Sequence, residues 1–312
     1  MHHLMALVFP GQGSQAVGMG RDLKESYAAA QETFEEADDA LGFSLSRLCF
    51  EGPEEDLRQT HNAQPALMAT SIACLRAARE TDLLPPGAAF VAGHSLGEYT
   101  ALVAADALDF AQGLRLVRER GRLMQQAGDK VSSGMAAVLG MEEEALRQVC
   151  QETGVQVANL NCPGQVVISG PKDELARAME LARNRGARQV VPLNVSGAFH
   201  SRVMRPAEEG LAGYLEDVPI RDPVIPVVSN VTARPVHEAE AVRAALLKQL
   251  CSPVRWHPSV DWMVSQGIST FVEFGPGRVL AGLIKRIHRP AQVASIGDRD
   301  SLEKLLQDRP WT

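Results

Sequence analysis

Ala88-Ala89-Phe90-Val91-Ala92-Gly93-His94-Ser95-Leu96-Gly97-Glu98 is the stretch on which the reading of this chain turns. Ala88 to Ala92 is a small apolar run that predicts a buried strand, and Glu98 to Leu108, rich in Ala and Leu, predicts a helix. Between them lies a Gly-x-Ser-x-Gly turn. In that setting the serine sits on a tight strand-to-helix elbow with its hydroxyl exposed, and the two glycines relieve crowding. The Leu96 N–H, at the head of the helix, is placed to face a developing oxyanion. A Gly/Ser turn can do no more than join two elements, but with strand and helix in these positions Ser95 is the candidate nucleophile.

Upstream, Leu4 to Phe9 reads as a short apolar strand ending in the loop Pro10-Gly11-Gln12-Gly13-Ser14-Gln15. Helices are expected over Ser26 to Leu41, Ala63 to Glu80 and Ala111 to Ala127. The texture changes at Ser132-Ser133-Gly134. Strands over Met135 to Leu139, Val155 to Leu160, Gln165 to Ser169 and Arg188 to Leu193 alternate with helices over Glu142 to Glu152 and Asp173 to Asn184. That βαββαβ order over about sixty residues is the ferredoxin-like pattern. Beyond it come a strand (Val224 to Val228), helices (Ala239 to Leu250 and Pro258 to Gln266), a strand (Thr270 to Phe274) and a helix (Val279 to Ile287). The fold class expected is therefore α/β. A large catalytic domain, residues 1–131 and 196–312, has a mainly parallel, doubly wound sheet and carries an inserted ferredoxin-like subdomain, residues 132–195.

With 312 residues, 45% hydrophobic and 22% charged, the chain has the composition of a soluble globular protein able to bury a sizeable core. A net charge of −7 gives no support for nucleic-acid binding, although it is compatible with a local basic patch. Five scattered cysteines without a Cys-x-x-Cys pair read as reduced thiols, neither a disulfide framework nor a zinc site. No apolar run reaches membrane-span length and no signal-peptide pattern opens the chain, so a cytoplasmic protein is expected. Met1-His2-His3 fits either a native start or a remnant of recombinant production.

A serine hydroxyl needs a base to attack a carbonyl at neutral pH. Of eight histidines, His2 and His3 are terminal, and His61, His237 and His288 lie among polar residues and are expected to be exposed. His94 adjoins the serine but points elsewhere around an elbow, and His257 reads as packed. His200 ends the small-residue loop Ser196-Gly197-Ala198-Phe199-His200, directly after a strand; a base and an ordinary loop histidine are both consistent with that position. On the helix from Ala111 to Ala127, taken at about 100° per residue, Leu114, Leu116, Val117, Leu123, Met124 and Ala127 share one side, with Arg115, Arg118 and Arg122 opposite. Arg120 falls within the apolar stripe. A charge there needs an internal carboxylate or an anionic ligand, and a guanidinium can hold a carboxylate by two parallel charge-assisted hydrogen bonds.

Taken together, these motifs resemble the malonyl-CoA:acyl carrier protein transacylases and the related acyltransferase domains of polyketide and fatty acid synthases. The resemblance spans nearly the whole chain, from Phe9-Pro10-Gly11-Gln12-Gly13-Ser14-Gln15 to Glu273-Phe274-Gly275-Pro276-Gly277. Between these lie Gln64-Pro65-Ala66-Leu67, Gly93-His94-Ser95-Leu96-Gly97-Glu98, Arg120-Gly121, Asn161-Cys162-Pro163-Gly164-Gln165 and Gly197-Ala198-Phe199-His200-Ser201, in the family's order. The resemblance implies an α/β-hydrolase-like large domain with the ferredoxin-like subdomain beside the active-site cleft. Ser95 would be the acylated nucleophile, His200 its base and then acid, and Arg120 the grip on the malonyl carboxylate. The N–H groups of Gln12 and Leu96 would form the oxyanion hole, and the Gln249 carbonyl would orient His200. Phe199 occupies the position where malonyl-selective members often carry Phe, so it bears on rejection of an α-methyl branch. Gly197 departs from the His frequent there in synthase domains and matches freestanding enzymes.

Malonyl-CoA and acyl carrier protein are the implied partners, in a ping-pong transfer that supplies fatty acid synthesis and uses no metal or cofactor; a monomer is implied. The competing expectations are a discrete acyltransferase of a polyketide or malonate-metabolism system, a serine thioesterase with water as acceptor and a carboxylate third member, and a non-catalytic acyl-binding subunit. Two basic clusters, Lys285, Arg286 and Arg289, and Arg183, Arg185 and Arg188, are candidate carrier-docking surfaces.

Overall fold

A computed structural model describes residues 4–83 and 87–308; Met1-His2-His3 lies outside them. Ten strands are assigned among these residues: β1 (Leu4–Phe9), β2 (Phe90–Gly93), β3 (Ser133–Leu139), β4 (Gln156–Cys162), β5 (Gln165–Pro171), β6 (Gln189–Pro192), β7 (Val227–Val228), β8 (Pro235–Val236), β9 (Ile268–Phe274) and β10 (Gln292–Ile296). They form two sheets. The six-stranded one runs β10-β9-β1-β2-β7-β8 and is parallel except for the β7–β8 edge pair.

Its central strand, Leu-Met-Ala-Leu-Val-Phe, is buried from Met5 to Phe9 and reads as a continuous apolar run because both faces of the sheet are covered. Met5, Leu7 and Phe9 enter one core with Phe34, Met68 and Leu116. Ala6 and Val8 enter the other with Trp256, Phe271 and Ile284. Because β1, β2, β7 and β9 run parallel, the loops leaving them converge at one end of the sheet, where open α/β folds place their sites. Those loops are Pro10 to Gln15, the Ser95 elbow, Ser229-Asn230 and Gly275-Pro276-Gly277.

The four-stranded sheet runs β4-β5-β3-β6, all antiparallel, with helices Glu143–Thr153 and Lys172–Asn184 over it. Its apolar core is its own, with Val138, Leu146, Ile168 and Ala178 among its members. Strand β4 is tied to the segment before the helix Trp256–Ser265, where Leu160 N–H donates to Val254 O at 2.9 Å and Val254 N–H to Ala158 O at 2.8 Å.

The element boundaries differ from expectation in instructive places. The helix expected over Ser26 to Leu41 is two, Arg21–Ser26 and Ala28–Leu41, because Tyr27 is extended (φ −131°, ψ 127°). The elbow helix runs Leu96–Ala104, ending short of Leu108, since Asp106 takes φ 56°. Asp109 then caps the helix Phe110–Lys130 by accepting from Gln112 N–H. The strand expected over Val224 to Val228 keeps only its last two residues: Pro226 has no N–H to donate and Val224 is 69% exposed. Edge strand β10 and helices Arg205–Glu216 and Arg299–Asp308 are additional. All five cysteines are free. Among the described residues no helix is long and apolar enough to cross a membrane.

Candidate active site

At the end of β2 the chain makes its sharpest departure from ordinary backbone. Ser95 has φ 52° and ψ −104°, a left-handed φ that side chains other than glycine rarely adopt. The flanking glycines are required by contact. A Cβ on Gly93 would lie 2.0 Å from the Gly97 carbonyl, and one on Gly97 would lie 2.1 Å from the Phe9 carbonyl oxygen. Asn230, on the loop after β7, pins the turn from both sides. Its Oδ1 accepts from Ser95 N–H at 2.7 Å and its Nδ2 donates to Gly93 O at 2.7 Å.

Ser95 Oγ lies 2.8 Å from His200 Nε2. On the opposite ring edge, His200 Nδ1 lies 2.9 Å from the carbonyl oxygen of Gln249, which can only accept. The proton therefore sits on Nδ1, and the Nε2 lone pair faces the serine hydroxyl. His200 is itself at φ 58° in a buried loop braced by Ser201 Oγ donating to Ala198 O at 2.7 Å. Burial, together with the nearby Arg120 charge, pushes the His200 pKa down to about 3, so the imidazole is neutral and ready to accept a proton.

Arg120 is 1% exposed, and the glycine after it lets the helix Phe110–Lys130 pack against Thr60, whose carbonyl would stand 2.6 Å from a Cβ at Gly121. Its Nη1 donates to Gln64 Oε1 at 2.7 Å, and its Nη2 to Gln249 Oε1 at 2.9 Å and Ser95 Oγ at 3.1 Å. The guanidinium also lies 5.0 Å from the centre of the Tyr99 ring. All its hydrogen-bond acceptors are neutral oxygens, and its Nε–H is buried with no partner. Of the two possibilities left open by its place on the helix, the internal carboxylate is not among the groups bonded to it. A buried cation with a spare donor, touching the serine oxygen, has the chemistry to bind an anion.

The Gln12 and Leu96 N–H groups donate to no backbone or side-chain acceptor among the described residues. The Gln12 side chain donates to Thr60 Oγ1 at 3.4 Å. Gln12, Ser95, His200 and the ring of Phe199 line a cleft of about 530 Å³, whose far wall comes from Met135 on β3 and Asn159 on β4. A roomier hollow of about 630 Å³, near Phe43 and Arg118, contains none of these groups; the chemistry lies in the smaller cleft.

Nothing in the sequence assigns a role to Asn230, Gln64, Glu98 or the Gln249 side chain. Glu98 carried a legible signal, a carboxylate in the otherwise apolar first turns of the elbow helix, much as Arg120 is a charge in an apolar stripe. His94 turns from the serine to Asn161 Oδ1, 2.9 Å from its Nε2. His257 pairs with Asp261 at 3.0 Å. His61 is partly buried against Gln125 Oε1 at 3.1 Å, not free in solvent as expected. Of the basic clusters, Arg185 is paired to Glu152, Lys285 is bonded to the carbonyls of Arg289 and Ala291, and Arg286 reaches Gln165 on β5.

The family model described as "Acyl transferase domain" matches residues 6–304. A Bacillus subtilis protein named malonyl CoA-acyl carrier protein transacylase is 47% identical over 97% of this chain and 96% of its own length. The Escherichia coli protein of that name is 41% identical over 97% and 98%. Among solved structures, an acyl carrier protein S-malonyltransferase from Vibrio cholerae superposes with a TM-score of 0.92 at 44% identity, covering 96% of this chain and 99% of that one. A malonyl-transacylase in complex with a type II PKS acyl-carrier protein does so at 0.94 and 42%, covering 98% and 99%.

Proposed function

The chain belongs to the acyl transferase domain family, and from that premise we propose that it transfers a malonyl group from malonyl-CoA to the phosphopantetheine thiol of an acyl carrier protein through a malonyl-Ser95 ester. The observation that carries this reading is the convergence on one serine oxygen of a neutral, carbonyl-oriented imidazole and a buried guanidinium that hydrogen-bonds no carboxylate. A hydrolase of simple esters has no use for the second.

The malonyl carboxylate takes the free Nε–H of Arg120 and the Nη2–H now resting on Ser95, which releases the serine oxygen for attack. The anion also offsets the Arg120 charge that depresses His200, so substrate binding raises the basicity of the base at the moment it is needed. Ser95 Oγ bonds to the thioester carbon while its proton passes to His200 Nε2, and the carbonyl electron pair moves to oxygen, held by the Gln12 and Leu96 N–H groups. Collapse breaks the C–S bond, and the departing CoA sulfur takes the proton from His200. The carrier thiol then repeats both steps in reverse order, and His200 returns the proton to Ser95. Thioester is exchanged for thioester, so the transfer is reversible.

Phe199 walls the acyl end of the cleft and disfavours an α-methyl branch; excluding one methyl is worth about 1–3 kcal/mol, which makes the preference for malonyl finite. Supply of malonyl units to fatty acid synthesis is the role we assign to it, and a negatively charged carrier would meet the exposed Lys285 and Arg286. The test is the fate of the acyl group. Malonyl-CoA with carrier protein yields malonyl-carrier, and without carrier yields little free malonate. Rapid carrier-independent release of malonate would make the enzyme a thioesterase instead.

A further inference from the structure

Beneath the reacting groups lies a buried carboxylate that the transfer does not use. Glu98 is 2% exposed, one turn into the elbow helix, and accepts a short hydrogen bond from Gln249 Nε2. The Asn230 N–H and the Ser229 hydroxyl lie close enough to the same carboxylate to favour its ionised form. Burial outweighs the opposing pull of these donors and of the Arg120 charge, and leaves its pKa pushed up to about 7. Every bonding neighbour donates, so the ionised form fits the site.

The amide of Gln249 has only one orientation in this setting. Its Nε2 faces Glu98, Ser95 O at 3.0 Å and Asn230 Oδ1 at 3.5 Å, all of them acceptors. Its Oε1 faces the Arg120 Nη2 donor. A flipped amide would turn oxygen toward three oxygens and NH₂ toward a guanidinium. The Gln249 main-chain carbonyl meanwhile holds His200 Nδ1. One residue thus grips the anion seat by its side chain and the base by its backbone, and the carboxylate behind it gives the amide its shortest hydrogen bond.

We propose that Glu98 is a positioning residue for the acyl transfer, locking the Gln249 amide so that the Arg120 guanidinium is held in register with Ser95 and His200. The inference rests on the reading of Arg120 as the seat of the acyl carboxylate. Glu98→Gln preserves shape but removes the charge from the acceptor facing Gln249 Nε2, which weakens the shortest of the bonds that hold the amide. The experiment measures acylation of Ser95 and transfer to holo-carrier with malonyl-CoA and with acetyl-CoA, for wild type, Glu98→Gln, Arg120→Ala and the double variant, each checked for an intact melting transition.

In Glu98→Gln, kcat/KM for malonyl-CoA falls about tenfold, mostly through KM, while that for acetyl-CoA falls no more than about threefold. In the Arg120→Ala background the same substitution leaves the malonyl-to-acetyl ratio unchanged, because the group it positions is gone. Equal losses with both donors, or an unchanged ratio in Glu98→Gln beside a collapsed ratio in Arg120→Ala, would overturn the proposal and leave the clamp reading standing. An unchanged ratio in Arg120→Ala would overturn both. Should Glu98→Gln not fold, Glu98→Asp, which keeps the charge but withdraws it from Gln249, carries the same readout at smaller size.

Discussion

Two sheets border one cleft, and they equip it differently. On the six-stranded side, Ser95, Arg120, Asn230 and Gln249 are tied into one another by buried polar contacts, so each is held by several partners at once. On the four-stranded side, Met135 and Asn159 form a wall and Asn161 makes a single bond to His94. His200 stands on the loop that passes from one side to the other, and its two ring bonds both go to the six-stranded side. The lesson is a division of labour. A network in which every member fixes two others sets the geometry of reaction, whereas a wall with few polar ties sets what fits beside it.

Substitutions on the two sides should therefore fail differently. Ser95→Ala removes the nucleophile, and transfer should drop by about 10⁴-fold or more in a carrier-acylation assay. Arg120→Ala leaves the nucleophile and base in place but removes the anion's seat. A buried, charge-assisted contact is worth about 3–5 kcal/mol when one partner is deleted, so kcat/KM with malonyl-CoA should fall by roughly 10² to 10⁴-fold. Acetyl-CoA, with no carboxylate to lose, should be affected far less. Equal losses for the two donors would erase the distinction between clamp and scaffold.

On the wall side the expected effects are smaller. Asn161→Ala unties His94 from β4 and should raise KM by about three- to tenfold with kcat nearly unchanged, the scale of one lost neutral hydrogen bond. A loss in kcat as large as that of Arg120→Ala would show that the wall belongs to the reacting network. The smallest effect expected is with pH. Because His200 in the free enzyme has its pKa pushed down to about 3, it is already deprotonated throughout the neutral range. In Glu98→Gln, which removes the buried carboxylate whose own pKa is pushed up to about 7, the pH profile of kcat/KM should accordingly show no bend at about 6.5, the ordinary imidazole value. A clear acid limb centred there would mean that His200 is not the shielded base its surroundings make it.

Much of this was legible in the chain because the decisive signals are local. The elbow is five consecutive residues between a strand and a helix, and Arg120 stands out as a charge within an apolar stripe. His200 could be placed only by its loop and by resemblance, since nothing in the sequence says which distant carbonyl holds Nδ1. The supporting network was illegible for the same reason. Asn230 and Gln249 meet Ser95 from 135 and 154 residues away in sequence, and a polar residue at a strand or helix end looks the same whether it faces water or a serine N–H. Element boundaries were misplaced where one residue overrides a pattern. Tyr27 interrupts a helix by turning extended, and Pro226 shortens a strand by lacking a donor.

The central claim is that Ser95 carries the acyl group between two thiols, and intact-mass analysis of the enzyme tests it most directly. Mixed with malonyl-CoA, the wild-type chain should gain the mass of one malonyl group, mapped by peptide fragmentation to Ser95, and lose it on addition of holo-carrier protein as malonyl-carrier appears. Ser95→Ala should gain nothing. A wild-type enzyme that transfers malonyl groups without ever showing the adduct, or a Ser95→Ala enzyme that still acquires it, would contradict the account.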